Sequence, residues 1–136
     1  MYLLDTNVVS DLRRRDRADP RVLAWAEGVA TADLFISVVT VLEIELGVQR
    51  AALRGAPQAD IYRRWLEERV IPSFGDRILP VDLTTARICG RLHVPNRRPE
   101  RDALIAATAM THRLTVVTRN LRDFPDVPTL NPWADH

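Results

Sequence analysis

The chain has 136 residues, of which 46% are hydrophobic and 27% are charged, the composition of a soluble globular domain that can bury a core. Its formal net charge is +1, so charge alone neither requires nor excludes a nucleic-acid partner. All 19 residues in the combined lysine and arginine count are arginines, which excludes chemistry that needs a lysine, such as a P-loop or a Schiff base.

No apolar run is long enough to span a bilayer and no secretory signal is visible, so we expect a cytoplasmic protein without membrane attachment. Cys89 is the single cysteine, which rules out an internal disulfide and fits a reducing compartment. We interpret Cys89 as a small core residue and not as a nucleophile. His93, His112 and His136 show no ligand spacing, which argues against a zinc site.

Short apolar runs alternate with longer stretches of helical periodicity along the chain. The runs predict strands over residues 2–4, 34–39, 78–82 and 114–118, with a short last strand near residues 129–130. Periodicity, prolines and glycines predict a helix that starts at residue 6 and further helices over residues 21–29, 40–53, 57–70, 84–92 and 99–110.

Strands that alternate with helices indicate an α/β fold, with a mostly parallel sheet and helices on both of its faces. We treat residues 1–136 as one domain, because no linker, repeat or low-complexity tract divides them. The first, second and fourth strands contain no proline and should be central, whereas Pro80 and the prolines around the last strand favour edge positions. Right-handed crossovers bring the carboxyl ends of the strands to one edge, where open α/β sheets bind ligands.

Four carboxylates stand near the ends of the predicted central strands: Asp5, Glu43, Asp102 and Asp123. Asp5 ends the first strand, and Glu43 lies in the helix after the second. Asp102 is in the first turn of an alanine-rich helix that precedes the fourth strand, and Asp123 follows that strand. Each acid also has a structural explanation: Asp5 as a helix N-cap, Glu43 in a capping box with Thr40, Asp102 at a positive helix end and Asp123 in a turn.

The conjunction of the four favours a functional site, because capping places acids at any helix start and not specifically beside central strands. Asp102 should also point toward the sheet, since it shares a helix face with Ile105, Ala106, Ala109 and Met110. Several acids in one pocket repel each other and require a cation. A ligand set made of oxygen atoms selects Mg²⁺ or Mn²⁺, and such ions support phosphodiester hydrolysis.

Two further groups of charged residues accompany the four acids. Asp82 also ends a strand, but a capping role for the next helix is the favoured interpretation. Arg97, Arg98 and Arg101 come just before Asp102 and should surround the mouth of the pocket, where arginines bind phosphates. Solvated loop arginines are the alternative interpretation of each one.

The acids belong to four motifs, in this order: Asp5-Thr6-Asn7, Glu43, the run from Asp102 to Ala109 (DALIAATA), and Thr118-Arg119-Asn120-Leu121-Arg122-Asp123-Phe124. Together they resemble a PIN domain over essentially the whole chain, and among PIN domains they resemble the VapC-type toxins of bacterial toxin–antitoxin pairs. The chain follows the family pattern at all four acidic positions.

This resemblance implies a Mg²⁺- or Mn²⁺-dependent endoribonuclease in which the four acids bind the metal and carry catalysis: Asp5, Glu43, Asp102 and Asp123. It implies that four polar residues support the site: Thr6, Asn7, Thr118 and Asn120. It also implies an RNA substrate, a cognate antitoxin protein, a homodimeric toxin and a toxin–antitoxin hetero-oligomer.

Three other functions are alternatives to this one. A phospho-receiver module would need a lysine near its phosphoacceptor, and the chain contains none. A catalytically silent binding module of the same fold should have lost some of the acids. A metal-dependent DNA nuclease would use the same acids, so the resemblance alone favours RNA over DNA.

Overall fold

The computed structural model describes residues 1–134 of the chain, with five strands in one sheet. The strands are β1 (Tyr2–Leu4), β2 (Leu34–Ser37), β3 (Ile78–Leu79), β4 (Thr115–Val117) and β5 (Thr129–Leu130). Their order is β3-β2-β1-β4-β5, and every neighbouring pair is parallel. The first, second and fourth strands are therefore central, as predicted, and the two strands next to prolines form the edges.

The helices of the described residues are α1 (Thr6–Asp11), α2 (Pro20–Glu27), α3 (Val38–Leu53), α4 (Gln58–Trp65), α5 (Ile71–Phe74), α6 (Leu83–Leu92) and α7 (Glu100–His112). A π-helical segment, Leu66–Val70, joins α4 to α5. Over residues 1–134, each helix falls short of the length and apolarity that crossing a bilayer requires. His136, one of the three histidines without ligand spacing, lies outside the described residues.

Helices cover both faces of the sheet, and β1 shows how. Leu3 packs into a buried cluster with residues of α6 and α7, whereas Leu4 packs on the opposite face with residues of α1, α2 and α3. The two side chains are 0% and 2% exposed. Strands buried on both faces are apolar without alternation, which is why short continuous apolar runs predicted them correctly. Cys89 of α6 belongs to the first cluster, so its prediction as a core residue is confirmed.

The start of α3 differs from the prediction. Ser37 is the N-cap, and its hydroxyl accepts a hydrogen bond from the backbone N–H of Val39 at 3.0 Å. The strand therefore ends at Ser37, and both Thr40 and Glu43 lie inside the helix, so the predicted capping box between them is wrong. The β-branched residues after Ser37 resemble a strand locally, but a serine N-cap followed by buried packing starts the helix earlier.

Two other local predictions can be judged in the structure. Asp82 is the N-cap of α6 and its Oδ1 accepts from the N–H of Thr85 at 2.9 Å, as the capping interpretation required. In α7, Ala106 is buried as predicted, but Met110 is 40% exposed. Met110 lies eight residues after Asp102, which at about 100° per residue rotates it about 80° away from the sheet-facing side.

Candidate acidic site

Asp5 lies at the carboxyl end of β1 and is also the N-cap of α1. Its backbone N–H donates to the carbonyl of Val117 at 2.9 Å, which continues the ladder between β1 and β4 by one residue. Its Oδ1 accepts from the N–H of Thr6 at 2.8 Å, and its Oδ2 accepts from the hydroxyl of Thr118 at 2.8 Å. The side chain is 7% exposed. Capping and a position in the acidic site are therefore two properties of the same carboxylate.

Glu43 is connected to Asp5 through Thr6. The hydroxyl of Thr6 donates to Oε1 of Glu43 at 2.8 Å, while the backbone N–H of the same threonine binds Asp5. The hydroxyl of Thr40 lies 3.1 Å from that of Thr6 and is fully buried. Thr6 thus sets the distance between α1 and α3 at the carboxyl edge of the sheet, and it orients one oxygen of each acid.

Asn7, Thr118 and Asn120 form the other side of the network around Asp5. The amide nitrogen of Asn7 donates to Oδ2 of Asp5 at 3.3 Å, and the Asn7 oxygen accepts from the N–H of Arg119 at 3.4 Å. Thr118 is fully buried and accepts from the backbone N–H of Asn120 at 3.0 Å. Asn120 therefore reaches the site through its backbone, whereas Thr6, Asn7 and Thr118 reach it through their side chains.

The charges of the four acids influence one another. Burial, followed by the negative charges of Asp123, Asp5 and Glu43 in that order, raises the pKa of Asp102 to about 6. The pKa of Asp5 is also raised, mainly by burial, against the lowering effect of its hydrogen bonds from Thr118 and Thr6. Glu43 and Asp123 add to this increase. Asp123 ends a 3₁₀ turn, Leu121–Asp123, and is exposed. The acids thus form one electrostatic cluster.

A second group of potential ligands lies away from this cluster. Among the described residues, Cys89, His93 and Glu100 form the one group of three ligating side chains whose ligand atoms all lie within 4.8 Å of one another, so the four acids are more widely spaced. The i, i+4 spacing of Cys89 on α6 and His93, the C-cap of that helix, is the sequence signal for this proximity.

The tautomer of His93 argues against a metal at this second group. Nδ1 of His93 accepts a hydrogen bond from the backbone N–H of Arg98 at 3.0 Å, so a neutral ring carries its proton on Nε2. Nε2 lies 3.4 Å from Oε2 of Glu100 and has a proton to donate, not a lone pair for a cation. The proximity of Cys89, His93 and Glu100 is therefore explained by a hydrogen-bonded contact between the end of α6 and the start of α7.

The three arginines before Asp102 have different partners. Arg98 pairs with Asp126, and Nη2 of Arg97 lies 3.9 Å from Oε2 of Glu100. Arg101 contacts the acidic cluster, with its Nη1 at 3.7 Å from Oε2 of Glu43.

Comparison with known proteins identifies the family. The family model described as PIN domain matches residues 2–130. The chain belongs to the PIN-domain family. This PIN domain is 37% identical to Toxin FitB of Neisseria gonorrhoeae, over 99% of this chain and 100% of that protein. It is 34% identical to VapC ribonuclease Y4jK of Sinorhizobium fredii, over 98% of each chain. The predicted resemblance to VapC-type PIN domains is therefore confirmed.

Solved structures agree with this assignment. The crystal structure of FitAcB from Neisseria gonorrhoeae contains a chain that matches this PIN domain with a TM-score of 0.85 at 37% identity, covering 98% of this chain and 99% of that one. A structure of FitAB bound to a DNA fragment gives a TM-score of 0.87 at 35% identity, with 100% and 98% coverage. The α/β fold of a single PIN domain is thereby confirmed.

Proposed function

We propose that this PIN domain is a metal-dependent endoribonuclease that acts in the cytoplasm as the toxin of a bacterial toxin–antitoxin pair. The observation that carries the proposal is the electrostatic cluster at the carboxyl edge of the sheet, where the pKa of Asp102 is raised to about 6 by burial and by Asp123, Asp5 and Glu43. Similarity to proteins named Toxin FitB and VapC ribonuclease supports the same activity.

The donor set of the cluster fits a hard divalent cation. Its four members offer carboxylate oxygens, the ligands that Mg²⁺ and Mn²⁺ prefer, and their mutual repulsion is relieved by positive charge. We propose that these acids hold the ion: Asp5, Glu43, Asp102 and Asp123. When bound, the ion supplies positive charge that attracts an RNA phosphate and stabilises the negative charge that develops during hydrolysis.

The other residues of the site orient these carboxylates. Thr6 and Thr118 each direct a hydroxyl to one acid at 2.8 Å, and Asn7 donates to Asp5. A carboxylate held by such contacts keeps its remaining lone pairs in a fixed direction, which lowers the reorganisation needed when an ion or a substrate binds. We propose these residues, together with the backbone of Asn120, as the support of the site.

We propose that the protein is restrained by a cognate antitoxin and that the toxin is a homodimer within a larger hetero-oligomer. The matching solved structures support a partner, because they are structures of FitAcB and of FitAB, the second bound to DNA. An alternative function is a DNA nuclease with the same acids, and another is a silent PIN-like binding module.

A cleavage assay tests the activity and separates these alternatives. Protein purified free of any partner is incubated with structured RNA and with single- and double-stranded DNA, in Mg²⁺, Mn²⁺ or EDTA. We expect RNA cleavage that EDTA abolishes and that Asp5→Asn and Asp102→Asn each reduce by at least about a hundredfold. Asp82→Asn is the matched control, because Asp82 is an N-cap after a strand but lies outside the cluster. Cleavage that survives EDTA, or full activity in both site variants, would disprove the proposal.

A further inference from the structure

Glu43 is held by a different partner at each of its two oxygens. Oε1 accepts from the hydroxyl of Thr6 at 2.8 Å, a contact between two elements at the base of the site. Oε2 faces Nη1 of Arg101 at 3.7 Å, in the first turn of α7. The first contact is a short hydrogen bond, whereas the second is longer than a direct N–H···O bond. One oxygen of Glu43 is therefore fixed and the other has an exchangeable partner.

The contact between Arg101 and Glu43 has the properties of a weak, replaceable ion pair. The arginine side chain is 45% exposed and that of Glu43 is 27% exposed, so water and salt screen the attraction. Exposed pairs of this kind contribute little to stability. Maintaining the fold thus does not explain why a guanidinium lies against this acid.

Arg101 also differs from its two neighbouring arginines. Arg98 in the loop before α7 is paired with Asp126, and Arg97 in the same loop faces Glu100, the first residue of α7, with 86% of its side chain exposed. Arg101 is adjacent in sequence to Asp102 and its charge lowers the pKa of that acid, which shows that it lies within the field of the cluster. Of the three arginines, it is the one in position to meet a phosphate at the acids.

We propose that Arg101 is a substrate-binding residue that exchanges its contact with Glu43 for a backbone phosphate of RNA when a divalent ion occupies the acidic site. This inference rests on the proposed function. A divalent ion at Glu43 repels the guanidinium, and a phosphate attracts it with the planar, bidentate geometry that arginine favours. Arg101 therefore weakens the binding of the ion and strengthens the binding of RNA.

These opposite effects distinguish this role from a structural one. In Arg101→Gln, removal of a positive charge beside the site should strengthen Mn²⁺ binding without RNA, by about two- to fivefold at moderate salt. The same change should weaken RNA binding by about five- to tenfold, because one charge-assisted contact is lost. The slope of log affinity against log salt should also fall by about 0.7, the value for one phosphate contact on a single strand.

The experiment uses the full chain and two readouts besides cleavage. Mn²⁺ affinity is measured by titration calorimetry, and affinity for a labelled RNA is measured by anisotropy at several salt concentrations, with Ca²⁺ as the divalent ion and RNA integrity checked on a gel. Arg97→Gln is the matched control, since it removes the same charge from an exposed position nearby. Arg101→Lys keeps the positive charge but lacks the planar guanidinium that binds phosphate bidentately. It should therefore have the Mn²⁺ affinity of the wild type but not its full RNA affinity.

The results separate this inference from the proposed function. Wild-type protein that binds neither Mn²⁺ nor RNA overturns both. Wild-type binding together with an unchanged RNA affinity and salt slope in Arg101→Gln overturns the inference alone. Weaker Mn²⁺ binding in that variant also overturns it, because Arg101 would then be holding Glu43 in place for the ion.

Discussion

Asp102→Asn in metal-free protein tests the electrostatic cluster through stability. The pKa of Asp102 is raised from the ordinary 3.8 to about 6, so the folded state holds the proton more tightly than the unfolded chain does. The contribution of Asp102 to stability is therefore fully present below pH 3.8 and is lost as the pH rises through about 6, when the folded protein must ionise this acid. Asn resembles the protonated acid and avoids that loss.

The size of the effect follows from the two pKa values. The difference between 3.8 and about 6 corresponds to about 3 kcal/mol at pH 7. The side chain is partly exposed, so screening by solvent reduces this figure, and we expect Asp102→Asn to gain about 1–2 kcal/mol at pH 7. At pH 4 the variant and the wild type should have the same stability within error, since Asp102 is then largely protonated in the folded state.

The assay is urea unfolding at pH 4 and pH 7, in EDTA and in Mn²⁺. In EDTA the variant should be more stable than the wild type at pH 7. Mn²⁺ should stabilise the wild type by about 2.7 kcal/mol at a hundredfold excess over its dissociation constant, and the variant by less. Asp76→Asn, in the exposed turn before β3, controls for the loss of one negative charge. A variant that is less stable than the wild type at pH 7 in EDTA, or a difference that does not change with pH, would refute the electrostatic reasoning.

Two further substitutions test individual contacts of the site. Glu43→Gln keeps an oxygen for the Thr6 hydroxyl, and Glu43 is not a cap, so unfolding free energy should stay within about 0.5 kcal/mol while RNA cleavage falls by at least about tenfold. Equal cleavage by the variant at saturating Mn²⁺ would return Glu43 to a structural role. Thr118→Val removes the hydroxyl between Asp5 and the N–H of Asn120, and it should destabilise the protein by about 1–3 kcal/mol in thermal or urea melts. Thr115→Val, at the start of the preceding strand β4, is the control. Unchanged stability in Thr118→Val would show that water replaces the hydroxyl without cost.

The architecture was predictable because the determining signals are local. β1, β2 and β4 are buried on both faces, so their sequences are short apolar runs, and proline next to β3 and β5 marks the strands at the edges. The fold class, the assignment of strands to central or edge positions and the caps at Asp5 and Asp82 follow from neighbouring residues in the chain.

The start of α3 and the role of Asp5 were harder to predict, for different reasons. Local sequence permits either Ser37 or Thr40 as the N-cap, and the choice depends on burial of Thr40 beside Thr6, a contact 34 positions away. For Asp5, the sequence presents capping and site membership as alternatives. The structure combines them, because one oxygen caps α1 and the other accepts from Thr118, so loss of a cap and relief of repulsion coincide in Asp5→Ala.

Contacts between residues that are far apart in the chain could not be predicted from the sequence. The pairing of Arg101 with Glu43 and of Arg98 with Asp126 depends on how α7 is placed over the sheet, and spacing along the chain carries no information about either pair. The same holds for His93, whose distance from Glu100 depends on the loop between α6 and α7.

The hydrogen bond between Thr118 and Asp5 joins residues 113 positions apart, and it has a consequence for the order of events during synthesis. β1 emerges first from the ribosome, but its neighbour β4 and the hydroxyl that orients Asp5 are among the last segments to be translated. A nascent chain that ends before residue 118 lacks that hydroxyl and Asp123, although it can already contain Asp5, Glu43 and Asp102. The acidic cluster is therefore complete only when nearly the whole chain has been made, so translation of the proposed nuclease does not expose the ribosome that makes it to an assembled site.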